Sequence, residues 1–307
     1  MLQEKIFKKL RCAYCYSEFH INPEYSHIDG NNSLWGVLTC NCDVYPVVAG
    51  IAYLKKDTGL KNKKISELIK QRRFYESFFL LIDDSIFVKY ILVFWYRYQK
   101  VFERFFSKVT YIFLHFFSKH KSWIIYLSKR EKSSRNFLIL QSFLKKNLQD
   151  GDTIVDIGCG NGFLASLLPR KCAYVGIDSD FLSLLLFQMS KRQKKEHLFI
   201  CADANMGIPI KEKIANHVIF LDSFSYLYKK KEILDAVSKI LKEGWTYLIG
   251  LYVSNPITDE WGYGTSHVTV LNTATKTFRK QICFDSNTLK KVSATDACDY
   301  YSIILKK

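Results

Sequence analysis

Apolar and polar positions follow three different rhythms along the 307 residues. The first 57 residues form short, turn-rich segments that end in the strand-like run Tyr45-Pro-Val-Val-Ala-Gly-Ile-Ala-Tyr-Leu54. Between about residues 58 and 132 there is no Pro, and no Gly after Gly59. Apolar side chains recur there at Phe87, Ile91, Phe94, Tyr98, Val101, Phe105, Ile112 and Phe116, while Lys89, Arg97, Lys100, Arg104 and Lys108 fall largely on another face. Those spacings predict one long basic amphipathic helix. Phe137–Leu148 reads as a further helix. From about residue 133 strands alternate with helices, as in an open, mainly parallel α/β sheet. No internal repeat or low-complexity tract interrupts the three zones.

Charge sharpens this division. The net charge is +16, but residues 1–57 carry 6 Lys+Arg and 6 Asp+Glu, residues 58–150 carry 19 and 7, and residues 151–307 carry 20 and 16. The middle zone, at net +12, is therefore the part expected to meet an anionic surface. At 48% hydrophobic residues the chain can bury a core in more than one unit. No apolar run reaches the roughly 18–20 residues of a membrane span, and MLQEKIFKKLRC lacks the apolar stretch of a secretory signal. A cytoplasmic location is expected.

The strongest motif is Thr153-Ile-Val-Asp-Ile-Gly-Cys-Gly-Asn-Gly-Phe-Leu164. A hydrophobic strand runs into a glycine-rich turn, and an apolar helix start follows at Phe163, Leu164, Leu167 and Leu168. Gly158, Gly160 and Gly162 allow a tight turn and close approach of backbone to a ligand. A dinucleotide site would use G-x-G-x-x-G to seat a pyrophosphate. Here the spacing is D-x-G-x-G-x-G, and an acid inside the strand end repels phosphate but suits a cationic aminoacyl group. Further strands follow in order. Ala173–Asp178 ends in an acid, Leu198–Ala204 contains Asp203, and His217–Ser223 contains Asp222. A helix over Lys231–Leu241 and a strand over Thr246–Tyr252 come next, and the last strand is expected at Tyr300–Leu305.

Over residues 135–255 this series resembles the class I methyltransferases that use S-adenosylmethionine (SAM). The resemblance implies a Rossmann-like sheet, with SAM contacted by Asp156, Gly158, Cys159, Gly160, Asn161, Gly162, Asp178, Asp203, Ala204 and Asp222. Asp178 would accept the ribose hydroxyls and Asp203 would bind near the adenine. The family's usual pair of glycines before the fifth strand is here Gly244-Trp245, a departure.

Four of the 9 Cys lie in the first 42 residues, as Cys12-Ala-Tyr-Cys15 and Cys40-Asn-Cys42. Two such pairs suit a closed tetrahedral Zn2+ site with a structural role. Together with the stretch Leu38–Ile51 they resemble the small zinc-binding activator of tRNA and protein methyltransferases, and its bacterial single-domain relatives. The architecture expected is thus a zinc-binding activator-like module (1–57), a basic aromatic-rich helical segment (58–132) and a SAM-dependent methyltransferase domain (133–307).

The methyl acceptor is less legible. Asp222-Ser-Phe-Ser-Tyr226 stands where base- and glutamine-methylating relatives carry [DNS]-P-P-[YF]. Asp222, Tyr226, Trp261, Tyr263 and His267 are the acceptor-side candidates, with catalytic roles expected for Asp222, Tyr226 and His267. Residues 74–126 hold 19 aromatic residues. That density favours a small-molecule or lipid-linked acceptor, with peripheral membrane association through this segment. The alternatives are RNA bound by the same basic helices, and a non-catalytic scaffold.

Overall fold

The computed structural model describes residues 7–31, 33–56, 60–99, 106–122, 124–125, 136–169, 171–189, 197–253, 278, 280–285, 290–293 and 300–307. In chain order its elements begin with β1 (His20–Ile21), β2 (His27–Ile28), β3 (Leu34–Thr39), β4 (Val44–Val48) and β5 (Ile51–Tyr53). The helices α1 (Lys61–Lys70), α2 (Phe74–Leu81), α3 (Ile86–Tyr98), α4 (Phe106–Phe117) and α5 (Asn136–Asn147) follow. Then come β6 (Thr153–Ile157), β7 (Ala173–Asp178), α6 (Phe181–Gln188), β8 (His197–Cys201), β9 (Ala215–Leu221), α7 (Lys230–Ile240) and β10 (Leu241–Val253). The last strands are β11 (Lys280–Asp285), β12 (Lys291–Val292) and β13 (Tyr300–Lys306). Contacts divide the chain into two compact units, the first made of residues 1–133, 160–166 and 178–202, the second of 134–159, 167–177 and 203–307.

In the first unit the strands run β1-β3-β4-β5-β8, with β2 paired to β3. The expected single run Tyr45–Leu54 is instead a hairpin. Ala49 and Gly50 both adopt positive φ (54° and 80°), which closes a two-residue turn and sets Val48 opposite Ile51. β5 then pairs in parallel with β8, Ile51 against Phe199 and Tyr53 against Cys201. All three β5 residues are buried, as a strand covered on both faces requires. Against the strands lies an aromatic cluster in which Phe78 meets Trp35, Tyr96 and Phe181 at ring separations of 5.0–6.4 Å. Asp29 ties the cluster by accepting from Trp35 Nε1 (2.9 Å) and Tyr96 Oη (2.5 Å).

The long helix expected across Phe87–Phe116 is two helices. α3 is capped by the Ser85 hydroxyl, which accepts from Val88 N, and it buries Val88, Leu92 and Tyr96 along one stripe. α4 packs alongside, with Phe87 against Phe113 and Phe117, and Trp95 against Phe113. Both helices carry the same apolar period, and folding back lets their rings cover one another. Among the described residues no helix is long and apolar enough to cross a membrane.

In the second unit the strands run β7-β6-β9-β10-β13-β11-β12. β7, β6, β9 and β10 are parallel, whereas β13 is antiparallel to both β10 and β11. β6 is buried along its whole length, which explains its continuous apolar pattern. Trp245, the departure from the glycine pair, packs edge-on against buried His217 at 5.3 Å. His217 Nδ1 lies 2.8 Å from Thr246 Oγ1, and its Nε2 lies 3.5 Å from Asp152. A further difference follows the glycine-rich turn. Instead of a helix there is a short 3-10 segment over Phe163–Leu167, and Pro169 disfavours its continuation through Leu168.

Candidate functional site

The second unit supplies the start of the glycine-rich turn. As β6 ends, Gly158 N and Cys159 N both donate to Ile177 O, at 2.7 and 3.1 Å. Gly158 has φ 75°, and a Cβ there would lie 2.2 Å from Ser223 Cβ, so no other residue fits without movement. Ser223 reinforces this contact by donating its hydroxyl to Ile157 O at 2.5 Å. Asp156 is 2% exposed and accepts from the Tyr174 hydroxyl at 2.8 Å. Burial first, then the Asp156 charge, push the Tyr174 phenol well above its ordinary range, so it stays a donor.

Further along this unit, Asp203 caps the single helical turn Ala204–Met206 by accepting from Asn205 N at 2.9 Å, and Ala204 is buried. Asp222 follows β9 with φ 59°, a left-handed conformation that is uncommon outside glycine and clusters at functional sites. Tyr226 lies four residues later and is exposed. The segment after β9 is held from beneath by Lys230, whose buried amine donates to Leu227 O and is pushed down to about 8 by burial. His267, Trp261 and Tyr263 lie outside the described residues.

The first unit holds the rest of the turn. Gly160 and Gly162 have φ 54° and 64°. Gly160 N donates to Asp178 Oδ2 at 2.7 Å, and Asp180 N donates to Asp178 Oδ1 at 2.8 Å. Those two bonds fix the orientation of a carboxylate that is only 9% exposed. Asn161 is buried and donates from Nδ2 to Tyr111 Oη at 2.9 Å. Gly162 lies flat on Phe187, where a Cβ would come within 2.2 Å of the ring.

Tyr174, Ser223, Phe187, Tyr111 and Lys230 support these residues, and sequence reasoning passed over all five. Tyr174 and Ser223 stand inside segments whose acids carry the motif, whereas Phe187, Tyr111 and Lys230 do not. Tyr111 lies 50 residues from its partner, with no local signal to link them.

A second cluster lies in the N-terminal strands. The Sγ atoms of Cys12, Cys15, Cys40 and Cys42 all lie within 4.8 Å of one another. The individual separations are 3.6 Å for Cys12–Cys42, 3.7 Å for Cys15–Cys40 and 3.4 Å for Cys40–Cys42. Four thiolates at about 2.3 Å from one tetrahedral Zn2+ would stand about 3.8 Å apart, close to this arrangement. All four are free thiols. The Ser17 hydroxyl, 3.1 Å from Cys15 Sγ, holds that thiol down at about 6. Cys159, Cys172, Cys201 and Cys283 are buried.

Residues 155–249 match the methyltransferase domain family. The chain carries a SAM-dependent methyltransferase domain. The match spans β6 to β10, and so includes the turn and all the acidic strand ends described above. No curated protein matches the chain. Among solved structures, a SAM-dependent methyltransferase from Thermotoga maritima is 16% identical, at TM-score 0.44, over 68% of this chain and 99% of that one. Phosphoethanolamine N-methyltransferase 2 from Haemonchus contortus is 18% identical, at TM-score 0.43, over 56% and 51%. A chain from the complex of a methyltransferase activator with a methyltransferase from Haloferax volcanii is 18% identical, at TM-score 0.45, over 56% and 90%.

Proposed function

We propose that this methyltransferase binds SAM along Gly158–Gly162 and transfers its methyl group to a small-molecule or lipid-linked acceptor. The observation that supports the cofactor assignment is Asp178, a buried carboxylate at the end of β7 held by the Gly160 and Asp180 amides. The donor set also fits the ligand. Residues 153–164 contain no Lys or Arg to clamp a phosphate, and Asp156 places a carboxylate at the strand end, where a cationic aminoacyl group is favoured.

In this reading Gly158, Cys159, Gly160, Asn161 and Gly162 form the backbone cradle, and Asp203 and Ala204 border the adenine. Bound SAM supplies an activated methyl group on a sulfonium. The protein's part is then to hold donor and acceptor in line, which can supply most of the rate enhancement. Asp222 and Tyr226 stand on the acceptor side. In this reading Asp222 takes a proton from an acceptor amine or hydroxyl, and His267 is the further candidate for that task.

The N-terminal module binds structural Zn2+ through Cys12, Cys15, Cys40 and Cys42, four ligands that leave no position open for chemistry. It acts as a built-in activator, a role supported by the parallel pairing of β5 with β8. Labour is thus divided among a zinc module (1–57), an acceptor-side helical segment (58–132) and a methyl-transferring domain (133–307), in a cytoplasmic protein.

Transfer of labelled methyl from SAM tests the acceptor class, with total lipid, total RNA and small-metabolite extracts offered in parallel. Label entering the lipid or small-molecule fraction, and lost with Asp222→Ala, is expected. Label entering RNA alone would overturn the acceptor assignment.

A further inference from the structure

The outward face of α3 and α4 has no counterpart in the chemistry described so far. Phe87, Tyr90 and Phe94 stand on α3 at helical spacing, and Ile112, Phe116 and Phe117 stand on α4, all of them exposed to solvent. Exposure reaches 61% at Tyr90, 59% at Ile112 and 63% at Phe116, in side chains that water disfavours. Scattered apolar residues on a surface are ordinary, but a contiguous patch marks an interaction site. Here the two stripes adjoin, because Phe87 packs on both Phe113 and Phe117.

We infer that this face docks on an anionic lipid bilayer. Residues 85–122 hold seven Lys or Arg against one acid, Glu103, so the apolar face sits in a strongly positive stretch of chain. An interfacial element buries its apolar face to the depth of the headgroup boundary and is drawn there by anionic lipid. Each Lys or Arg near such a surface strengthens binding by about fivefold.

Two other occupants fit less well. A single-stranded nucleic acid would stack bases on the aromatic rings alone, whereas a bilayer also takes up the exposed aliphatic side chains of Ile86, Val109 and Ile112. A second copy of the chain would bring two strongly basic stretches together, whereas an anionic surface neutralises them.

The docking rests on the lipid-linked reading above for its purpose, which is delivery of an acceptor held in the bilayer. α4 is suited to that purpose, because the helix that presents Ile112 and Phe116 outward also bonds Asn161 of the glycine-rich turn through Tyr111.

The test is flotation of the full zinc-loaded chain with vesicles of phosphatidylcholine alone, or of phosphatidylcholine and phosphatidylglycerol in equal parts. SAM titration and thermal melting of the same samples keep docking separate from cofactor binding. Binding at least tenfold stronger to the anionic vesicles is expected, and a tenfold or greater loss in Phe94→Asp/Phe116→Asp with melting and SAM affinity unchanged. Absence of binding to anionic vesicles, or binding that the double variant leaves intact, would overturn the inference. So would a wild-type dimer that the variant dissociates, or RNA binding that the variant alone abolishes.

Discussion

Asn161 Nδ2 donates to Tyr111 Oη at 2.9 Å, so α4 reaches into the middle of the glycine-rich turn. Asn161 is buried, and removing its partner exposes it to the cost of an unsatisfied amide. Tyr111→Phe keeps the ring and deletes that acceptor. The variant is expected to bind SAM about fivefold more weakly, the equivalent of about 1 kcal/mol for one neutral hydrogen bond, with the fold retained. Calorimetric titration beside a thermal melt checks both halves of this expectation. An unchanged affinity would mean that the bond does not order the turn.

Gly162 is constrained twice over, by a φ of 64° and by the Phe187 ring 2.2 Å from where a Cβ would stand. Gly162→Ala should therefore destabilise the protein by about 2–5 kcal/mol, summing the left-handed backbone cost and overpacking. Adding Phe187→Leu should return the overpacking part but not the backbone part. Urea denaturation of the single and double variants separates the two. Full additivity of the two substitutions would show that the ring contact is not the cause.

The four N-terminal thiols predict one zinc ion per chain, measured by elemental analysis of protein purified without added metal. Cys12→Ser and Cys40→Ser should each reduce zinc content sharply and lower the melting temperature, because metal-binding free energy is also folding free energy in a module this small. Full zinc occupancy in either variant would contradict a four-thiolate site.

His217 is 2% exposed, and burial lowers its pKa below the ordinary 6.5 despite the opposing pull of Asp152. As pH falls through 6.5 the unfolded chain therefore takes up the proton before the folded one does. Stability from this site is full above pH 6.5 and declines below it. His217→Gln should flatten the dependence of melting temperature on pH between about 6.5 and 5. An equally steep decline in the variant would assign the pH response to other groups.

Much of the sheet was legible because its signals are local. β7 was placed at Ala173–Asp178 from its apolar run and terminal acid, and β6 from the glycine-rich turn that ends it. The features that escaped depend on partners distant in sequence or on backbone choices that composition hides. The turn at Ala49-Gly50 lies inside an unbroken apolar run, so nothing polar marked it. α3 and α4 share one helical period, and the packing of Phe87 on Phe113 and Phe117 and of Trp95 on Phe113 tells them from a single rod. Trp245 departs from the glycine pair in sequence, and its reason, the packing on His217 28 residues away, has no local signal. The positions expected to contact SAM were readable from spacing, but the residues that hold them were not. Tyr174 is an ordinary strand residue in sequence, and its role rests on the hydroxyl it points at Asp156.

The most direct measurement is titration of SAM into the zinc-loaded chain by calorimetry, with NADH as the control ligand and Asp178→Asn as the control protein. Asparagine keeps the shape of the side chain but loses the charge and one acceptor function needed to hold the ribose hydroxyls. Micromolar SAM binding, no response to NADH and a loss of at least tenfold in folded Asp178→Asn are the expected results. Folded wild-type protein that ignores SAM, or that binds it equally well without the Asp178 carboxylate, would contradict the assignment of this turn as the cofactor site.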